Sequence, residues 1–200
     1  MKGSFIIILF FILGAFLGVN KLNLDFIIDW NISLYALCAL MMCIGITIGS
    51  DPKMLRSLRS LNPKLFLLPL MTIIGTLLGT ALIGILFSKH SVTECMAVGS
   101  GFGYYSLSSV LIGEKKGADL ATIALLSNIV REIMALMLAP ILYKHFGPFA
   151  PISAGGATTL DTTLPSITKV IGSDYSVLCI FHGLVLDLSV VFLVTILCSF

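Results

Sequence analysis

The sequence predicts an all-α polytopic membrane protein of about seven transmembrane segments, two of them discontinuous, forming one integral membrane transporter domain over residues 1–200. Three observations carry that prediction. Hydrophobic residues make up 58% of the 200-residue chain and charged residues 11%, with a mean hydropathy of +1.08. A soluble domain needs about 25% charged residues to cover its surface. Apolar runs of membrane-crossing length recur from end to end. Two of these runs, around 99–103 and 155–165, are interrupted by glycines and hydroxyl residues that a continuous lipid-facing helix does not need. The net charge of +2 and the lack of a dense basic run argue against nucleic acid as a partner. The five cysteines are scattered singly without C-x-x-C spacing, so neither a metal site nor a cofactor is expected.

Residues 4–19 form a short first apolar run behind Lys2, with Gly14 and Gly18 as a close-packing face. A signal peptide is the alternative, but no A-x-A cleavage pattern follows. Residues 30–49 read as a second span anchored at an interface by Trp30. In residues 51–62, Met54, Leu55, Leu58 and Leu61 fall on one helical face and Lys53, Arg56 and Arg59 on another. That pattern predicts a surface helix facing anionic membrane lipid or an ordinary loop, on the cytoplasmic side in either case. The third span covers 65–87, with Gly75, Gly79 and Gly84 offering small contact surfaces.

Residues 92–112 have the length of a span but contain Gly99, Gly101 and Gly103 at alternating positions, and each glycine weakens a helix by about 1 kcal/mol. The segment reads as a helix broken near its middle. Residues 118–146 predict a long helix kinked by Pro140, with Ser127, Asn128, Arg131 and Glu132 in one sector. Residues 148–169 form the second broken segment, and 176–200 the last span, carrying His182, Gly183 and Asp187. With seven crossings and the amino terminus inside, Lys2, Lys53, Arg56, Arg59, Lys64, Lys115, Lys116 and Lys169 fall inside, against Lys21, Lys89 and Lys144 outside. That excess predicts a cytoplasmic amino terminus and an external carboxyl terminus.

Paired discontinuous helices point to a transport site, because backbone amides and carbonyls exposed there hold ions and substrate. Asp161 is the leading candidate, since a carboxylate at bilayer depth costs about 2.5–3.5 kcal/mol on insertion scales. Thr158, Thr159, Thr162 and Thr163 can add hydroxyl ligands or cap a half-helix. Pro165, which has no N–H, is expected to leave the Asp161 carbonyl free if that stretch is helical. Gly101, Gly103, Gly155, Gly156 and Pro165 are the expected hinge positions. Glu132, Asn128, Arg131, Asp187, Tyr105 and Ser106 complete the candidate substrate and ion ligands. Structural readings stand beside these. Glu132 can neutralise Arg131, Asp161 can cap a half-helix, His182 can be a packed histidine, and Glu94 can be a solvated interfacial residue.

The blocks GSGFGYYSLSSVLI, LLSNIVREIMALMLAP and GGATTLDTTLPSITK, followed by a histidine–glycine pair, resemble the LysO-type lysine exporter family from about Trp30 onward. The resemblance implies export of L-lysine, and of toxic analogues such as thialysine, across the bacterial inner membrane. It puts the family's intramembrane acidic positions on Glu132 and Asp161. The chain departs from the longer members in lacking their extra amino-terminal membrane segments, which leaves it to work alone, as a homodimer or with a small membrane partner subunit. Moving a cation outward against an inside-negative potential costs about 2.3 kcal/mol per charge per 100 mV. Lysine/proton antiport through Asp161 or Glu132 is therefore the expected mechanism, with sodium as the other candidate coupling ion. In that scheme Arg131 or a half-helix amino terminus holds the lysine carboxylate. Two other classes fit less well. A cation/proton antiporter or channel of other specificity would use the same broken helices. An intramembrane enzyme using Ser106, Ser108 or Ser109 with His182 would lack a G-x-S-x-G or H-E-x-x-H motif.

Overall fold

The computed structural model describes residues 63–86 and 89–200 continuously, together with isolated positions between 16 and 50. The spans expected at 4–19 and 30–49 and the surface helix at 51–62 lie outside the continuously described residues. The chain divides into two compact units, Met1–Met41 and Met42–Phe200, and every element below belongs to the second.

Among the described residues every regular element is helical. A 3-10 turn, Pro63–Phe66, leads into α1, Leu67–Leu86. Then come α2, Val92–Gly99, and α3, Tyr105–Lys116, separated by an irregular stretch. The long α4, Ala118–Phe146, contains Pro140. It is followed by α5, Phe149–Gly155, a 3-10 turn at Gly156–Leu160, and α6, Leu164–Ile171. The last helix, α7, spans Ser176–Leu197. Helices α1, α4 and α7 (the last with its leading turn) are long and apolar enough to cross a membrane. The two broken segments alternate with them in the chain, where the glycine patterns predict discontinuity.

Local chemistry explains the ends of the half-helices. The Ser91 hydroxyl accepts from the Glu94 N–H at 3.2 Å, and the Ser91 N–H donates to Glu94 Oε2 at 3.0 Å, so α2 opens on a capping box. Glu94 is thus a helix-start residue that also lies 3.4 Å from His90, rather than a merely solvated one. Pro165 sits in the first turn of α6, where a missing N–H breaks no helical bond. Asp161 itself is non-helical, with φ of −141°. The helical condition on which Pro165 is expected to leave the Asp161 carbonyl free is therefore not met, because the helix begins only after it. The expected small-residue face of α1 is only partly used. Gly84 packs closely on Val92, while Gly75 and Gly79 meet nothing within 4 Å among the described residues.

The two breaks touch. The Ala157 N–H donates to the Phe102 carbonyl at 2.9 Å, joining one irregular backbone to the other. The approach requires glycine at 156, where φ is +69° and a Cβ would run into the Phe102 carbonyl oxygen. Phe102 is fully buried and holds φ of +46°, a strained conformation for a bulky residue. Asn128 on α4 braces this stretch. Its Oδ1 accepts from the Gly103 N–H at 2.8 Å, and its Nδ2 donates to the Val98 carbonyl at 3.1 Å and the Ala124 carbonyl at 2.9 Å. Helix α7 closes on the second break through Gly183, whose backbone lies against Ala157 and Leu160. An apolar cluster of Ile152, Ile167, Ile171, Leu178, Cys179 and Phe181 ties α5, α6 and α7 together.

Two outcomes follow for stability. Gly156→Ala should lower the thermal midpoint in detergent sharply, by the equivalent of about 3 kcal/mol or more from steric overlap and backbone strain. Gly75→Ala should leave the midpoint unchanged or raise it, because it adds helix propensity where nothing lies within 4 Å among the described residues. Asn128→Leu should destabilise by about 1–3 kcal/mol by stranding the Gly103 N–H, whereas Ser127→Ala should stay within about 0.5 kcal/mol. Thermal unfolding of the purified variants in one detergent checks both.

Candidate functional site

Beside the contact between the breaks lies a cavity of about 100 Å³. The first break and the start of α3 contribute Gly103, Tyr104, Tyr105 and Ser106 to its wall; the second break contributes Thr158, Asp161 and Thr162; α7 contributes Asp187. Seven of the residues expected at the site from sequence are thereby brought together: Asp161, Asp187, Thr158, Thr162, Tyr105, Ser106 and Gly103. Asp187 is only 3% exposed, and its Oδ2 has no hydrogen-bond partner among the described residues. A buried carboxyl oxygen without a donor is expensive and calls for a proton or a cation from elsewhere. Asp161 is exposed, and its Oδ1 accepts from the Thr162 N–H at 2.6 Å. Two carboxyl groups thus face one small space.

The threonines around this cavity mostly hold the turn in shape. Thr158 Oγ1 donates to the Gly155 carbonyl at 2.8 Å and lies 3.2 Å from Thr163 Oγ1. Thr159 Oγ1 lies 2.7 Å from the Gly156 carbonyl and 2.9 Å from that of Cys179 on α7. Thr163 is at the start of α6 but makes no side-chain cap. His182, fully buried, faces Thr159 Oγ1 with Nδ1 at 3.3 Å and Thr72 Oγ1 with Nε2 at 3.1 Å. It therefore links α1, the turn and α7 as a packed, hydrogen-bonded histidine. The serine hydroxyls of α3 bond elsewhere: Ser108 to the Tyr104 carbonyl at 2.9 Å and Ser109 to that of Ser106 at 3.2 Å.

A second cavity, of about 330 Å³, is walled by residues of α1, α2 and α4, including Thr76, Thr80, His90, Ser127, Asn128 and Arg131. The Arg131 Nε donates to the Ala154 carbonyl at 3.3 Å and Nη2 to that of Ser153 at 3.2 Å, and the guanidinium lies 5.7 Å from the centre of the Phe102 ring. These carbonyls belong to the last residues of α5, where the helix dipole favours a cation. Asn128 and Arg131 are thus separated from the acidic cavity. Glu132 lines neither cavity; it is half-buried on α4 and makes no hydrogen bond or ion pair among the described residues. Neutralisation of Arg131 by Glu132 is accordingly not seen.

Residues that the sequence pattern did not single out also matter here. Thr72, Thr76 and Thr80 repeat every four residues along α1 and meet three different neighbours. Thr72 reaches His182, Thr76 lies 3.5 Å from Arg131 Nη1, and Thr80 fills the space left by Gly99. Their i,i+4 spacing in an otherwise apolar helix is the signal that marks them. Tyr104 lines the acidic cavity beside the better-marked Tyr105.

Comparison with known proteins places these features in a family. Over 156 residues the chain is 33% identical to a candidate lysine exporter of Haemophilus influenzae, covering 78% of each protein. Over 160 residues it is 31% identical to the lysine exporter LysO of Escherichia coli, covering 80% of this chain and 52% of that protein. The chain thus spans about half the length of the latter relative. No solved structure matches it. The family described as lysine exporter LysO matches residues 8–198. This multi-pass α-helical membrane protein therefore belongs to the lysine exporter LysO family.

Proposed function

We propose that the chain exports L-lysine, and analogues such as thialysine, across the bacterial cytoplasmic membrane in exchange for protons. In this reading Asp161 and Asp187 share the exchanging site. The observation that carries it is the unpartnered, buried Oδ2 of Asp187 in a cavity that Asp161 also lines. The names of the relatives supply the substrate, and the acidic cavity suits its side-chain ammonium group. Hydroxyls of Tyr105, Ser106 and Thr162 stand at the same wall to complete an ammonium's hydrogen bonds.

The chemistry of exchange follows from competition for one charge. A lysine ammonium arriving from the cytoplasm takes the carboxylates, and the site releases a proton inward. A proton arriving from outside then displaces the ammonium, and lysine leaves. One-for-one exchange of two monovalent cations moves no net charge, so the membrane potential does not oppose it. Glu132, which the family resemblance marks, is proposed as a further proton-carrying carboxylate on α4. The amino terminus lies in the cytoplasm and the carboxyl terminus outside in this scheme.

Proteoliposomes loaded with radiolabelled lysine test the proposal. Acid outside should accelerate efflux, and each pH unit should sustain about a tenfold lysine gradient for one-for-one exchange. Asp161→Asn and Asp187→Asn should each slow efflux about 100-fold or more. Asp187→Asn should nonetheless remain folded, because the change removes a buried unpaired charge without altering shape. Glu132→Gln should slow efflux as well. Efflux that ignores the pH gradient, or survives both aspartate changes at the wild-type rate, would falsify this mechanism.

A further inference from the structure

The larger cavity carries a full positive charge that nothing described offsets. Arg131 makes no ion pair among the described residues. Two of its nitrogens are committed to the Ser153 and Ala154 carbonyls, and its third, Nη1, has only Thr76 Oγ1, at 3.5 Å, among the described residues. That distance is at the long limit for a hydrogen bond, so the Nη1 edge retains donor capacity. The carbonyls and the Phe102 ring fix the guanidinium plane, which leaves one edge positioned rather than mobile. His90, also on the wall, is engaged with Glu94, and Glu94 is held in the α2 capping box. Hydroxyls of Thr76 and Ser127 face the same space. The wall is one backbone thick towards the acidic cavity: the Gly103 N–H bonds Asn128, which lines the larger cavity, while Gly103 itself lines the smaller.

From this arrangement we propose that the larger cavity is a carboxylate-binding site, in which Arg131, assisted by Thr76 and Ser127, receives the carboxylate end of the transported amino acid. Basic and acidic chambers on either side of the first break would then receive the two ends of the substrate at successive steps of its passage. The assignment rests on the proposed amino-acid export. It differs from a purely structural role for Arg131, in which the guanidinium only holds the end of α5.

The test compares L-lysine with 1,5-diaminopentane, which is lysine without its carboxylate, as competitors of radiolabelled lysine transport by the full chain in proteoliposomes. Wild type should be inhibited by lysine at a concentration at least tenfold below that needed for diaminopentane. Arg131→Gln should raise the lysine concentration about tenfold or more and change that for diaminopentane less than twofold. Thr76→Val and Ser127→Ala, which leave the carbonyl bonds of Arg131 intact, should each weaken lysine about threefold and leave diaminopentane unchanged. Equal competition by the two compounds in wild type overturns the proposal, as does a folded Arg131→Gln variant that weakens both alike or neither. Should Arg131→Gln not fold, an unchanged lysine-to-diaminopentane ratio in the other two variants overturns it. Failure of the export reading looks different, because wild type would then show no saturable lysine transport.

Discussion

Where the Phe102 carbonyl accepts the Ala157 N–H, two lengths of backbone that have left their helices satisfy one another. At membrane depth an unpaired backbone group costs several kcal/mol, so irregular chain survives only where protein or a watery cavity answers it. Much of the surrounding structure serves that contact. Gly156 removes the side chain that would block it, Asn128 takes up the Gly103 N–H, and Gly183 lets α7 close against the turn. The strain at Phe102, of the order of 1–3 kcal/mol, is held in place by these surroundings. The cavities flank this junction, where side chains are small and helical packing is interrupted.

The distribution of charge follows from the same geometry. Arg131 and Asp187 are both deep in the molecule and of opposite sign, yet they do not neutralise one another. Arg131 is drawn to the carbonyl end of α5, which offers a partial negative charge and fixed acceptors. Asp187 on α7 lines the other cavity, and its Oδ2 has no hydrogen-bond partner among the described residues. A pair of that kind joined directly would be a structural brace. Kept apart by the first break, they form no such brace.

The sequence was readable at the level of where the backbone must break. Alternating glycines at 99–103 and the Gly155–Gly156 pair mark positions that a continuous helix would not choose, and both segments break there. Asp161 and Asp187 stood out because carboxylates are costly in apolar runs. The effect of Pro165 depends on whether the helix has begun, and that is decided by the turn before it. The threonine stripe of α1 was overlooked because threonine is tolerated in apolar helices, and only its neighbours give it a role. Glu132 lies in the same helical sector as Asn128, but sector alone does not say whether a side chain reaches a cavity.

Sequence alone therefore determined the class of molecule, its helical segments, the two interruptions and the acidic residues worth attention, because hydropathy and glycine placement act locally along the chain. Which polar groups share a space was decided by tertiary packing. The sequence put Arg131 next to Glu132 and far from residues 153 and 154, yet the fold gives the guanidinium to those carbonyls. It put Asp161 and Asp187 26 positions apart, yet both face one cavity. Such pairings come from backbone contacts between distant segments, above all the one between Phe102 and Ala157, and no local pattern encodes them.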